Sequence, residues 1–165
     1  MVAERRDQPA NDAPYRLIDE VTFGPGAIVR SFTNLYGCSL GAETQVGAFV
    51  EIQHGVTVGD RCKIQSHTFI CEGVSIEDEV FVGHGVTFIN DLQPRAVTEA
   101  GELQGRDDWE LLPTVVERGA SIGSGATILG GVRIGAGALV GAGAVVLGAV
   151  EAGATVVGNP ARSLR

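Results

Sequence analysis

The sequence predicts an all-β fold, a coil of short strands and tight turns. Three observations carry this: large apolar residues recur at every sixth position, glycine accounts for 24 of 165 residues, and aromatics make up only 5% of the chain. The register starts at Leu40 and runs through Val46, Ile52, Val58, Ile64, Ile70, Ile76, Val82 and Phe88. After one break it resumes at Val116 and continues through Ile122, Ile128, Ile134, Val140 and Val146. A period of six matches neither the 3.6 of a helix nor the 2 of a simple strand. It fits short strands joined by turns, each strand sending one large side chain inward, and such a repeat decides the architecture.

The elements follow in order. Residues 1–14, charged and without an apolar core, are read as a polar tail and not as a signal peptide. Residues 15–165 are read as one coiled domain, of a size usual for a single domain. Glycine often follows the large residue (Gly41, Gly47, Gly59, Gly83, Gly123, Gly135, Gly141), and the fifth position is small or apolar, as in Thr44, Val50, Cys62, Thr68 and Ala120. Between Phe88 and Val116 the spacing is 28, so a segment of about residues 90–114 is expected to loop out. A loop this long in a regular coil is usually functional. It carries Trp109, the only tryptophan, expected either to pin the loop or to stack on a nucleotide or sugar. Residues 134–150 are uncharged and near the lower limit of membrane-spanning length. They keep the six-residue register and are read as coils.

Composition excludes several classes. A net charge of −8 argues against nucleic acid or an anionic membrane as partner. At 44% hydrophobic the chain is not a disordered one. Cys38, Cys62 and Cys71 form no CxxC, which speaks against a disulfide framework or a thiolate metal site. The expectation is a soluble, cytoplasmic protein with no metal.

The pattern [Ile/Val/Leu]-Gly-x-x-[small/Val]-x resembles the hexapeptide repeat of the left-handed parallel β-helix acyltransferases, over about residues 22–161. The resemblance implies triangular coils of 18 residues, homotrimers, and sites in the clefts between subunits. With 18 residues per coil, His54, Glu72 and Asn90 form one column on one edge, and Asp91 follows at the mouth of the loop. An imidazole, a carboxylate and an amide in that order can orient a base and hold a polar acceptor; the plain alternative is a solvated column capping a turn. His84 stacks over Ser66. His67 and His84 lie off the His54 edge and are read as interface or catalytic residues, since in a trimer another edge can face a neighbour's His54 column.

The segment from Lys63 to Arg95, KIQSHTFICEGVSIEDEVFVGHGVTFIND-x-x-PR, is similar to acetyltransferases acting on nucleotide-linked (dTDP- or UDP-) 3-amino-deoxy sugars in surface-polysaccharide biosynthesis. That resemblance implies catalytic roles for His54, Glu72, Asn90 and Asp91. Arg95 would pair with the diphosphate of a nucleotide-sugar substrate, or simply stand in water. It also implies acetyl-CoA as co-substrate, held by Ser124 and Ala142, which stack 18 apart, and by Arg162 in VVGNPAR. The Thr-Lys usual after GAGxVV is Leu147-Gly148 here, so one phosphate contact is missing.

Alternatives are a sugar O-acetyltransferase, a γ-type carbonic anhydrase and a non-enzymatic β-helix scaffold. The anhydrase family has two histidine ligands five residues apart, whereas the spacings here are 13 and 17. The scaffold would not need the features that match a CoA site.

Overall fold

The computed structural model describes residues 15–164; the expected polar tail, residues 1–14, lies outside the described residues. Among the described residues, twenty-one strands of two or three residues wind into three sheets of seven, six and eight strands, making a triangular column. Neighbouring strands pair in parallel, apart from the last, Arg162–Ser163, which runs antiparallel to Thr155–Val157. No helix among the described residues is long and apolar enough to cross a membrane. Residues 134–150, the uncharged stretch, are coils like the rest. This is the parallel β-helix of the hexapeptide resemblance.

The six-residue register places one large side chain inward per strand. On the first face Leu35, Ile52, Ile70, Phe88, Ile128 and Val146 stack; on the second Leu40, Val58, Ile76, Val116 and Ile134; on the third Val46, Ile64, Val82, Ile122 and Val140. All are buried. The small fifth-position residues fill the space at each corner, and the buried threonines among them, such as Thr44 and Thr68, are hydrogen-bonded. Thr44 Oγ1 donates to Gly59 O at 2.7 Å and Thr68 Oγ1 to Gly83 O at 2.9 Å. A buried hydroxyl without a partner would be costly.

Partner residues in adjacent coils step by 18 through the centre, as Phe69 to Thr87, and by 17 in the first coils, as Leu17 to Asn34. The step from Thr87 to Thr127 is 40, which is 22 more than 18. Residues 89–113 lie between the two strands where the coil before has only three, 71–73, and Thr114, expected at the end of the loop, is a buried part of the returning strand Thr114–Val116. Within the loop, Val97 and Leu103 form an antiparallel bridge, closed by Gly101 with φ of 83°.

Each corner carries its own ladder. The corner after the second face is charged: Arg61 Nη2 lies 2.6 Å from Glu79 Oε1, and Arg118 Nε lies 3.0 Å from Glu79 Oε2. The corner after the third face stacks Tyr15, Phe32, Phe49 and His67 with ring centroids 5.4, 5.1 and 4.8 Å apart. The corner after the first face is polar and holds His54.

Candidate active site

The structure brings His54, Glu72 and Asn90 together on one corner. Each follows the first-face strand of its own coil, so the 18-residue step stacks them. Asn90 Nδ2 donates to the Glu72 carbonyl at 3.0 Å, and His54 Nδ1 lies 3.7 Å from Glu72 Oε1. Above His54 the coil turns at Gly37, where φ is 56° and a Cβ would sit 2.7 Å from His54 Cδ2. A side chain at 37 would therefore push the imidazole out. The His54 side chain is 59% exposed and that of Glu72 only 24%, so the carboxylate forms the floor and the imidazole the surface.

A second set of bonds fixes this floor from the first face. Gln53 Oε1 accepts from the Glu72 N–H at 3.3 Å, while Gln53 Nε2 and Tyr36 Oη both donate to Glu51 Oε1 at 3.3 Å. Burial, followed by the neighbouring Glu51 carboxylate, raises the Tyr36 phenol above its ordinary value, so it serves as a neutral donor. Cys71, beside Glu72, is buried; desolvation pushes its thiol up to about 11. It supplies no thiolate nucleophile at neutral pH.

The loop seats on the same corner. Leu111 packs on Gly73, and Leu112 N–H donates to Asn90 O at 3.4 Å, with the Leu112 side chain over Gly130. Arg106 Nη2 donates to Glu72 Oε1 at 2.5 Å, a contact that the sequence reading missed. Asp91 and Arg95 line a cavity of about 450 Å³ within the loop, together with Asp108, Trp109 and Glu110. One Asp91 oxygen is already used by the Gln93 N–H at 2.7 Å. Trp109 is half-buried in this lining.

The other two histidines sit on the corner after the third face, across the first face from His54. His67 ends the aromatic stack. His84 Nδ1 lies 2.9 Å from Ser66 Oγ, as the stacking predicts, and the His84 N–H donates to Ser124 Oγ at 3.1 Å. The second bond was not foreseen, because it crosses the 40-residue step. Ser124 in turn stacks on Ala142, and the Gly143 N–H donates to Ser124 O at 2.8 Å. Beside them Gly85, Gly125 and Gly143 make a bare strip along the corner, where an added Cβ would meet nothing within 4 Å. Arg162 is exposed on the terminal strand, its Nη1 donating to Ala161 O at 3.0 Å.

Residues 37–72 and 113–148 match the family model described as bacterial transferase hexapeptide (six repeats). The chain is a hexapeptide-repeat protein. The two matched stretches flank the loop, which accounts for the interval between them. The hexapeptide-repeat chain is 27% identical over 138 residues to the bifunctional protein GlmU of Burkholderia vietnamiensis, covering 72% of this chain and 29% of that one. It therefore spans less than a third of that relative's length. Among solved structures, a variant of AntD, an N-acyltransferase from Bacillus cereus in complex with dTDP and coenzyme A, matches with a TM-score of 0.74. Its identity is 18%, and the match covers 87% of this chain and 83% of that one. WeeI from Acinetobacter baumannii matches with a TM-score of 0.54 at 26% identity, covering 91% of this chain and 55% of that one. The fold is thus that of the hexapeptide-repeat acyltransferases.

Proposed function

We propose that this hexapeptide-repeat protein transfers an acetyl group from acetyl-CoA to the amino group of a nucleotide-linked 3-amino-deoxy sugar, working as a homotrimer with sites between subunits. The observation that carries the reading is the column of His54, Glu72 and Asn90 at the mouth of the loop. An amine attacks a thioester carbonyl as the free base and must then shed a proton. A base within reach of that proton contributes typically about 10²–10⁴-fold in rate, and positioning of the two reactants supplies much of the remainder.

In this reading His54 accepts the proton, Glu72 orients the imidazole, and Asn90 and Asp91 hold the acceptor. Arg95 pairs with the diphosphate. Asp91, Asp108 and Glu110 beside a single arginine in the loop cavity suit a group that carries positive charge before it reacts, which favours an amine over a hydroxyl acceptor. The complex of AntD with dTDP and coenzyme A supports the same pairing of substrates.

For acetyl-CoA, the strip of Gly85, Gly125 and Gly143 is a cradle that side chains would fill, and it fits an extended, slender arm. Ser124 and Ala142 would flank that arm, and Arg162 would meet a phosphate. The thioester supplies the activated acyl group. Backbone N–H groups of the coil are the donors on hand for the oxyanion. In the trimer, His67 and His84 would face the neighbour's His54 corner as interface or auxiliary residues.

The test is release of free CoA with a panel of nucleotide-linked amino sugars and their hydroxyl counterparts. Release that depends on the amine is expected. Equal turnover of the hydroxyl partners would move the reading to O-acetyl transfer, and no release with any acceptor would overturn it.

A further inference from the structure

Glu72 has two suitors. Arg106, 34 residues along the chain and on the extruded loop, donates from Nη2 to Glu72 Oε1 at 2.5 Å. His54 Nδ1 stands 3.7 Å from that same oxygen, outside hydrogen-bond range. A charge-assisted bond to guanidinium is the stronger of the two, so the carboxylate is held first by the loop.

We propose that Arg106 is a positioning residue for acetyl transfer. Seated on Glu72, it fixes the carboxylate and offsets the negative charge beside His54. With the loop lifted, the bare carboxylate faces His54 alone and favours the imidazolium, which has no lone pair left to accept a proton. Loop seating and base readiness are thereby one event. The proposal rests on the acetyl-transfer reading of the column.

The surroundings agree with this assignment. Gly37 faces His54 from the coil above. Tyr36 and Glu51 are bonded to each other. Gln53 is spent on Glu51 and the Glu72 N–H, Asn90 bonds the Glu72 carbonyl, and one Asp91 oxygen is taken by the Gln93 N–H. Cys38 and Cys71 are buried thiols, each raised to about 11 by desolvation. Arg106 brings the positive charge. Its side chain is 66% exposed; such pairs are weak and screened by salt, so the clamp can open to admit an acceptor.

The experiment uses the full chain and needs no substrate at first. The chain has three histidines, so His54→Asn assigns the His54 ring signals by NMR. In Arg106→Met the His54 ring titration should move to higher pH, and Arg106→Lys should recover part of the shift. In a Glu72→Gln background Arg106→Met should move it little. Trp109 emission, three residues from Arg106, should change as the loop unseats. With acceptor present, the acid limb of kcat/KM should shift upward in Arg106→Met in the same direction. A His54 titration unmoved in Arg106→Met, or moved equally in the Glu72→Gln background, overturns the proposal. Should the titration move while no acceptor is acetylated, the Arg106 clamp stands and the acetyl-transfer reading falls. Acetyl transfer with an unmoved titration is the reverse case.

Discussion

The imidazole of His54 lies against the coil above because residue 37 carries no side chain. Gly37→Ala would add a Cβ 2.7 Å from His54 Cδ2 at a φ of 56°. The backbone strain of an alanine there costs about 1 kcal/mol. Calorimetry should show a Tm lowered by a few degrees, while kcat falls at least tenfold because the ring is displaced; unchanged kcat would mean that the ring's position is immaterial. The column itself was legible in the sequence, since residues 54, 72 and 90 share one place in an 18-residue repeat. Its contacts beyond the repeat were not. Arg106 reaches Glu72 through a loop whose path no periodicity encodes. Ser124 meets His84 only because the insertion is 22 residues long, a number that the apolar register brackets but the loop's own sequence does not announce.

The loop is the one element that departs from the repeat, and removing it should leave the rest intact. Excising residues 91–112 turns the step of 40 into one of 18. Position 113 would then fall in the column between Gly73, at φ 89°, and Gly131, at φ 78°. Proline is fixed near −65°, so the excision needs Pro113→Gly as well. This variant should unfold in a single cooperative transition and still bind CoA, yet transfer nothing to an acceptor; full transfer would show that the loop takes no part. The charged corner has a different signature. Hydrogen bonds from Arg118 and then Arg61, with their charges, hold the Glu79 carboxyl down to about 2 from an ordinary 4.5. A depressed carboxyl stabilises the fold above its unfolded value and ceases to do so as pH falls through the folded value. Denaturant titrations of Glu79→Gln between pH 4.5 and 2 should therefore lose stability less steeply than the parent. The difference should be small and should fade in high salt, since these groups are exposed.

At the scale of the molecule, the column is thin and its outer surface is not uniformly polar. Phe81 and Leu139 project from the third face, 38% and 46% exposed, with Ser121 between them in the same row. In the proposed trimer, packing three copies side by side would cover such a row. Light scattering at micromolar concentration should return three times the 17.1 kDa chain mass; a monomer would remove the inter-subunit site. The six-residue repeat was readable from spacing alone, whereas the 18-residue coil with its three faces and its corner order came from the family likeness. Assembly was readable only through family likeness. The most direct test of the central claim, that His54 is the base for transfer to an amine, is the pH profile of kcat for His54→Ala with a nucleotide-linked amino sugar. The account predicts a loss of about 10²-fold or more at neutral pH, partly recovered at higher pH where free amine and hydroxide are plentiful. Activity equal to the parent across the whole range would contradict it.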